Sequence, residues 1–404
     1  MTVIIKEINS IIYPIIGRGA YVFLQFFVVF LYSRSLSTDD LASFNLLNTF
    51  ILLFSTLLLH PFDVELQKRY VLRFQRKTAT QTFSDIHKNL TIFSFIFISI
   101  AVLTHIITPL LSVSQFTFLI ISLSLSQYVS HSIRCFFLNA GEAARFNLLT
   151  LTELSAKLLF ICVVIIFGHL SIFWLVLSLW ISNVIIVLYF LTFSKSLNLR
   201  LFLKKSIRKA IFLSDKRFFF RAFSNIWHWS ITNLFKILFA VNGQTDNLAM
   251  GIMAFVVGNS IMQSINLIVS QLTYPKIYQT NGKIITGYVY SVFILATLLT
   301  VLLLIFGNVM LKTVFGERFD GYKFFLIAGL WTEMFNGVIG VIGVRLNFLK
   351  LDKKFMNFYV IGAFASFLIL LLAYFTGETY FAISAPIIGL IIPIALNMFR
   401  EMRA

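Results

Sequence analysis

Several charged side chains stand inside long apolar stretches of this sequence, where an unpaired charge is costly. The bases at these positions are Arg18, Arg134, Lys157, Lys236 and Arg345, and the acids are Glu153 and Glu333. Glu153 precedes Lys157 by four residues, which is the spacing of an intrahelical ion pair. Setting that pair aside leaves four bases and one acid. Cations in a low-dielectric site favour an anionic ligand, and arginine is well suited to phosphate oxygens. The pattern therefore predicts an anion-binding site.

Neutral polar residues accompany these charges at helical spacing. Tyr21 and Gln25 follow Arg18 by three and seven residues, and Gln263 follows Asn259 by four. Residues at such spacings share one face of a helix. We predict that the ligand is bound by Arg18, Lys236, Arg134, Arg345, Gln25, Asn259, Gln263 and Trp229. Glu333 is the candidate for binding a coupling ion, either a proton or sodium.

Each of these assignments has a structural alternative. Arg18 and Arg345 are near helix ends and can extend to a membrane interface. The indole of Trp229 can simply pack against its neighbours or anchor an interface. Glu333 can form a salt bridge with one of the bases. Arg34 ends the first apolar stretch, where a structural or interfacial role is expected.

The elements that position these residues are membrane-spanning helices. The chain has 404 residues, of which 59% are hydrophobic and 12% are charged, whereas soluble domains are about 45–50% apolar and about 25% charged. Apolar runs close to the length of about 20 residues that crosses a bilayer recur from end to end. The predicted spans are 11–32, 42–62, 89–110, 115–139, 148–168, 171–193, 222–242, 250–273, 288–310, 323–345, 356–376 and 379–398. The sequence thus predicts an all-α polytopic membrane protein of about twelve spans.

The formal charge of +17 is concentrated on one side of these spans. Segment 67–88 has six Lys or Arg residues and one acid, and segment 194–221 has nine and one. Both segments fall on the same side if the spans alternate, and this asymmetry follows the positive-inside rule. It places both termini in the cytoplasm and explains the charge without a nucleic-acid partner.

Segment 194–221 also divides the chain at its middle. Its leucines and isoleucines recur every four residues with bases beside them, which predicts an amphipathic cytoplasmic helix against anionic headgroups of the membrane lipids. A basic loop is the alternative. We expect a six-helix lobe at 1–193, a linker at 194–221 and a second six-helix lobe at 222–404.

Polar stripes occur in the first, second and fourth predicted helices and again in the seventh, eighth and tenth. This recurrence predicts two parallel repeats around a shared polar cavity. The sequence has no Walker-type glycine loop, zinc-binding spacing or nucleophile elbow, and Cys135 and Cys162 both lie in apolar helices. We therefore expect a transporter rather than an enzyme, with no cofactor and no metal.

The stretch from Gly17 to Leu47 resembles the N-terminus of Wzx-type O-antigen flippases. These are polysaccharide transporters of the MOP superfamily, to which the multidrug MATE exporters also belong. The shared pattern is a polar first helix followed by an Arg-x-Leu-Ser-x-acidic turn, which here contains Arg34, Leu36, Ser37, Asp39 and Asp40. Ala42 or Ser43 stands where the family often has glycine. The length, the predicted six-plus-six layout and the basic mid-chain segment extend the resemblance over the whole chain.

The resemblance implies a flippase that moves an undecaprenyl-pyrophosphate-linked oligosaccharide across the bacterial inner membrane by alternating access. It implies a cationic lumen and is carried to individual positions only for Arg18 and Lys236. An O-antigen polymerase and a chain-length regulator are the further partners expected. A MATE-like multidrug or ion antiporter and a membrane-embedded O-antigen polymerase are the alternatives. An exporter of cationic drugs favours membrane acids, and the polymerases have a large periplasmic loop that this sequence lacks.

Overall fold

The computed structural model describes residues 2–55, 111–139, 143–193, 216–279, 285–348 and 351–401, and all regular structure in these ranges is helical. The α-helices are α1 (Thr2–Ser35), α2 (Thr38–Phe54), α3 (Leu111–Asn139), α4 (Ala143–Phe167), α5 (Ile172–Phe193), α6 (Lys216–Val241), α7 (Ile252–Gln279), α8 (Thr286–Phe315), α9 (Lys323–Phe348), α10 (Asp352–Thr376) and α11 (Thr379–Glu401). A π-helical turn (Asn247–Gly251) precedes α7, and a 3₁₀ turn (Glu317–Phe319) follows α8.

Eight segments of these helices are long and apolar enough to cross a membrane. The prediction of an all-α, multi-pass membrane protein is confirmed. The predicted span 89–110 and most of the predicted linker lie outside the described residues. Residues 216–221 of that linker are described, and they form the first turns of α6.

Short polar contacts and glycines set the ends of the helices. At the start of α2, the backbone N–H of Asp40 donates to Ser37 Oγ at 3.1 Å, and Ser37 Oγ donates to Asp40 Oδ2 at 2.9 Å. This N-terminal cap satisfies a helix N–H that has no intrahelical acceptor. Gly377 ends α10 with φ of 73°, and its N–H donates to Ala373 O. A side chain is strained at this backbone angle, so glycine suits the position.

One compact unit comprises Met1–Thr49 and Ile226–Ala404. Within it, α7 packs against α9 and α10 packs against α11. A Cβ atom at Gly258 of α7 would overlap the carbonyl oxygen of Leu326, and one at Gly329 of α9 would overlap that of Phe255. The two helices therefore meet backbone to backbone at Gly258 and Gly329, a contact that we call the glycine seam.

The second compact unit comprises Phe50–Asn225. Here α5 packs against both α3 and α4. Ser124 Oγ of α3 lies 3.3 Å from the Ile51 carbonyl oxygen of α2, and Asn183 Nδ2 of α5 donates to Ser126 Oγ at 3.2 Å. Residues 1–49 are thus grouped with the C-terminal helices, whereas the predicted first lobe is 1–193. The division into six-helix lobes stays a prediction.

Candidate functional site

A connected set of polar side chains surrounds Glu333, which lies on α9 in the unit of Met1–Thr49 and Ile226–Ala404. One turn further along α9, Asn336 Nδ2 donates to Glu333 Oε2 at 3.2 Å. A carboxylate accepts hydrogen bonds and cannot donate them, so it holds the amide nitrogen of Asn336 toward itself.

Helix α7 supplies two further amides. In the orientation that satisfies both acceptors, Asn259 Nδ2 donates to Glu333 Oε2 and to the Gly329 carbonyl oxygen, each at 3.2 Å. Asn266 Nδ2 donates to the backbone oxygen of Glu333 at 2.7 Å. A Cβ at Gly337 would lie only 2.5 Å from Asn266 Nδ2, so glycine leaves the space that this amide fills.

Helix α6 reaches the same group through a histidine. His228 Nε2 lies 2.8 Å from Asn336 Oδ1, and the His228 ring lies edge to face with Tyr359 of α10. Since the amide nitrogen of Asn336 faces Glu333, its oxygen faces His228. An amide oxygen only accepts hydrogen bonds, so His228 carries a proton on Nε2 and donates it to Asn336 Oδ1. Sequence reasoning missed the partnership of His228 and Asn336. Their separation of 108 positions gives no local spacing signal.

Lys236 is buried on α6, with 7% of its surface exposed. Its Nζ donates to Asn233 Oδ1 at 2.8 Å and lies 5.8 and 5.9 Å from the ring centroids of Phe235 and Phe255. Among the described side chains, no carboxylate lies within ion-pair distance of this ammonium group. Aromatic faces attract a cation but do not neutralise it, so Lys236 is suited to an anionic ligand.

Arg18 is also buried, with 2% of its surface exposed, and its guanidinium lies 5.6 Å from the ring centroid of Tyr21. This burial within the protein favours an internal role over the alternative in which the side chain extends to the interface. Gln25, two turns further along α1, is half-buried. Both residues belong to the unit that contains Lys236 and Glu333.

Arg134 belongs to the other unit and has a counter-charge. Its Nη1 forms an ion pair with Glu153 Oε2 of α4, and its Nε lies 3.4 Å from the Ser130 carbonyl oxygen. The sequence spacing predicts Lys157 as a partner of Glu153, and the structure pairs Glu153 with Arg134. Because Glu153 neutralises Arg134, the charge available to an anion at Arg134 is smaller than the sequence predicts.

The remaining predicted residues differ in exposure. Trp229 is buried, and its indole N–H lies 3.3 Å from the Thr49 carbonyl oxygen. Gln263 is exposed one turn beyond Asn259, and Arg345 is half-buried near the end of α9. The structure brings Asn259 to Glu333, but it leaves Gln263 exposed, outside this half-buried cluster.

A cavity of about 400 Å³ opens where α8 connects to α9 and α10 connects to α11. Its lining includes Asp320, Tyr322, Phe324, Glu378 and Tyr380, and it includes none of the predicted site residues. Burial and then the charge of Asp246 raise the pKa of Tyr322 above its usual value. Aromatic rings at the ends of membrane-spanning helices are typical of an interface belt.

Comparisons with solved structures identify the fold. A MATE structure in complex with MaL6 matches over 98% of this chain and 95% of its own, with a TM-score of 0.61 and 11% identity. An outward-facing multidrug resistance MATE family transporter of the MOP superfamily matches over 98% and 95%, with a TM-score of 0.59 and 13% identity. The eukaryotic MATE transporter AtDTX14 matches over 99% and 96%, with a TM-score of 0.55 and 14% identity.

The chain therefore has the MATE-like fold, and the fold class predicted from the sequence is confirmed. No protein-family profile matches the sequence. No curated protein matches it either.

Proposed function

We propose that this protein is a flippase that moves an undecaprenyl-pyrophosphate-linked oligosaccharide from the cytoplasmic to the outer leaflet of the bacterial inner membrane. The observation that carries the proposal is Lys236, a buried cation among aromatic rings and an amide with no carboxylate in ion-pair distance among the described side chains. A pyrophosphate supplies the anion that such a site lacks. The MATE-like fold supports transport by alternating access.

Arg18 and Arg345 are proposed to add positive charge along the path of the pyrophosphate, with Gln25, Asn259, Gln263 and Trp229 on the path of the sugars. The paired Arg134 makes a smaller contribution. Glu333 is proposed to bind and release the coupling ion. An O-antigen polymerase and a chain-length regulator are the proposed partners that use the flipped unit.

The second candidate is a MATE-like antiporter of cationic compounds. The observation that favours it is Glu333, an acid inside a membrane helix with hydrogen bonds from neighbouring amides. Membrane acids are typical of cation and proton pathways. A polymerase receives no support from the fold, because the likeness to transporters covers nearly the whole chain.

The test is complementation of a strain that lacks this gene. We expect single lipid-linked units to accumulate on the cytoplasmic leaflet and to be cleared by the wild-type gene. Lys236→Met should fail to clear them, whereas Lys312→Met should succeed, because Lys312 is an exposed lysine paired with Glu317. Unchanged surface polysaccharide with increased drug sensitivity would favour the antiporter. Single units that reach the outer leaflet unpolymerised would favour a polymerase.

A further inference from the structure

We propose that Asn336 and His228 are positioning residues through which protonation of Glu333 acts on helix α6, the helix that carries Lys236. The inference deepens the proposed function, because it rests on Glu333 as the coupling residue. It assigns the coupled ion as a proton and identifies the helix that responds to it.

The direction of the hydrogen bonds carries the argument. With Glu333 ionised, the amide of Asn336 is fixed at both ends, since its nitrogen donates to the carboxylate and its oxygen accepts from His228. When Glu333 binds a proton from water, it gains an O–H group that requires an acceptor. Asn336 provides one by turning its oxygen toward Glu333. Its nitrogen then faces His228 Nε2–H, donor against donor, and the hydrogen bond between α6 and α9 is broken.

Asn259 does not turn to accept a hydrogen bond from the new O–H group. Its nitrogen donates to the backbone oxygen of Gly329 as well as to Glu333. Turning this amide would set its oxygen against a carbonyl oxygen, which can only accept. His228 can relieve the contact between the two donors by moving its ring away or by exchanging its ring proton with water. The rearrangement therefore passes from Asn336 to His228. Release of the proton from Glu333 restores the original bonds.

The surroundings of the three residues determine which helix responds. The glycine seam holds α7 and α9 together backbone to backbone, so Glu333 and Asn336 lie on a rigid pair of helices. Helix α6 reaches this pair through side chains, of which His228 makes the polar contact to Asn336. Among the described residues, the titratable groups facing this contact are His228 itself, Glu333 of α9 and Tyr359 of α10. Helix α7 contributes only the neutral amides Asn259 and Asn266.

A row of hydrogen bonds along α6 continues from His228 to Lys236. Thr232 Oγ1 donates to the His228 carbonyl oxygen at 3.0 Å and accepts from Asn233 Nδ2 at 2.8 Å. Asn233 Oδ1 in turn accepts from Lys236 Nζ at 2.8 Å. His228 and Lys236 are about 12 Å apart along the helix axis at 1.5 Å per residue. A displacement of α6 at His228 therefore changes the position of the proposed anion-binding ammonium group.

Two tryptophans, Trp227 and Trp229, flank His228 and report on this part of α6 without any substrate. The experiment uses the full-length protein in lipid nanodiscs, with the other three tryptophans, Trp174, Trp180 and Trp331, changed to phenylalanine. We expect the tryptophan emission to change in a single titration, from an alkaline value to an acid value, as the pH is lowered. Glu333→Gln cannot ionise and its amide nitrogen attracts Asn336 Oδ1, so its emission should stay at the acid value at every pH.

His228→Phe keeps a ring against Tyr359 but has no N–H, and Asn336→Leu has no amide. Both variants should also hold the tryptophan emission at the acid value. Their transport rate should vary with pH by no more than about twofold, whereas a single titrating group changes a rate by up to about tenfold per pH unit. His169→Phe is the matched control, because His169 is exposed between α4 and α5, and it should titrate as the wild type does.

A His228→Phe protein that keeps the wild-type emission titration would overturn the proposal, as would the lack of a titration in the wild type. If the titration depends on His228, Asn336 and Glu333 but the deletion strain shows no trapped lipid-linked unit, the coupling of Glu333 to α6 stands and the proposed substrate is wrong. A purely structural role for His228 would lower the yield of protein without fixing the emission at the acid value.

Discussion

Arg34 and Arg318 link two helix ends in both directions: Arg318 donates to the end of α1, which carries Arg34, and Arg34 donates to the end of α8, which precedes Arg318. The guanidinium of Arg318 donates to the carbonyl oxygens of Ser33 and Leu36, at the end of α1, and both of its bonds to Leu36 are 3.1 Å long. Arg34 Nη2 lies 3.4 Å from the Thr313 carbonyl oxygen, at the end of α8. The last carbonyls of a helix lack intrahelical donors and carry partial negative charge, so arginine suits both positions.

This exchange gives a physical role to the Arg-x-Leu-Ser turn that carries the family resemblance. The turn holds the end of α1 to the connection between α8 and α9. Gly316 begins this connection with φ of 109°, a backbone angle that favours glycine. Burial, followed by the charge of Arg34, lowers the pKa of Arg318 from its usual value.

Arg318→Gln should destabilise the protein by about 1–2 kcal/mol, because it removes charged hydrogen bonds to carbonyl groups that are left without a donor. Thermal unfolding in detergent provides the measurement. Lys312→Gln is the control in the same region, and it should leave the unfolding temperature unchanged because its ion pair with Glu317 is exposed. Equal unfolding temperatures for Arg318→Gln and the wild type would contradict a stabilising role of the exchange.

Lys236→Met should abolish the proposed transport and at the same time stabilise the protein by roughly 1–3 kcal/mol. The buried ammonium group has an amide and two rings as neighbours, and a methionine fills that space without a charge to desolvate. Thermal unfolding and the accumulation of lipid-linked units should be measured on the same preparations. A variant that is both inactive and less stable would indicate that Lys236 has a structural role.

Glu153→Gln and Arg134→Met should each reduce stability, by about 1–3 kcal/mol, because each leaves one partly buried charge without its partner. The double variant should recover much of the loss, since no charge then stays unpaired. A double-mutant cycle in thermal unfolding measures this coupling. If Arg134 instead contacts substrate directly, Arg134→Met should impair transport far more than Glu153→Gln does.

Gly258→Ala and Gly329→Ala should each disrupt the packing of α7 against α9 by at least about 1–3 kcal/mol, because the added methyl group overlaps backbone atoms that cannot move aside. Gly340→Ala on α9 is the matched control, since its Cβ would meet nothing within 4 Å. Folded yield and unfolding temperature should distinguish the two seam variants from the Gly340→Ala control. A normal yield for Gly329→Ala would show that the seam is looser than the structure indicates.

Hydropathy and charge bias predicted the membrane class and most of the described helices, because crossing a bilayer requires long apolar runs. The predicted span 288–310 falls within α8, and the span 323–345 falls within α9. The ends are less predictable: α6 begins at Lys216 within the predicted linker. Its basic first turns are compatible with either a helix or a loop from composition alone.

The candidate site was predictable only in its residue types. Periodicity places Asn259, Gln263 and Asn266 on one stripe, but two of them hydrogen-bond to Glu333 and Gln263 is exposed. The spacing within one helix cannot say which neighbouring helix each residue meets. The same reason explains why the ion pair of Glu153 with Arg134 and the partnership of His228 with Asn336 were missed.

The glycine seam also fixes the distance between α7 and α9, so this pair of helices can serve as a distance reference for spectroscopy. Since the two backbones touch, spin labels placed one on each helix should keep a constant separation through the proposed transport cycle, while a label on α6 should change its distance to both. Such a pair would supply an internal reference against which displacements of other helices are measured. A covalent cross-link between α7 and α9 should for the same reason leave turnover unchanged.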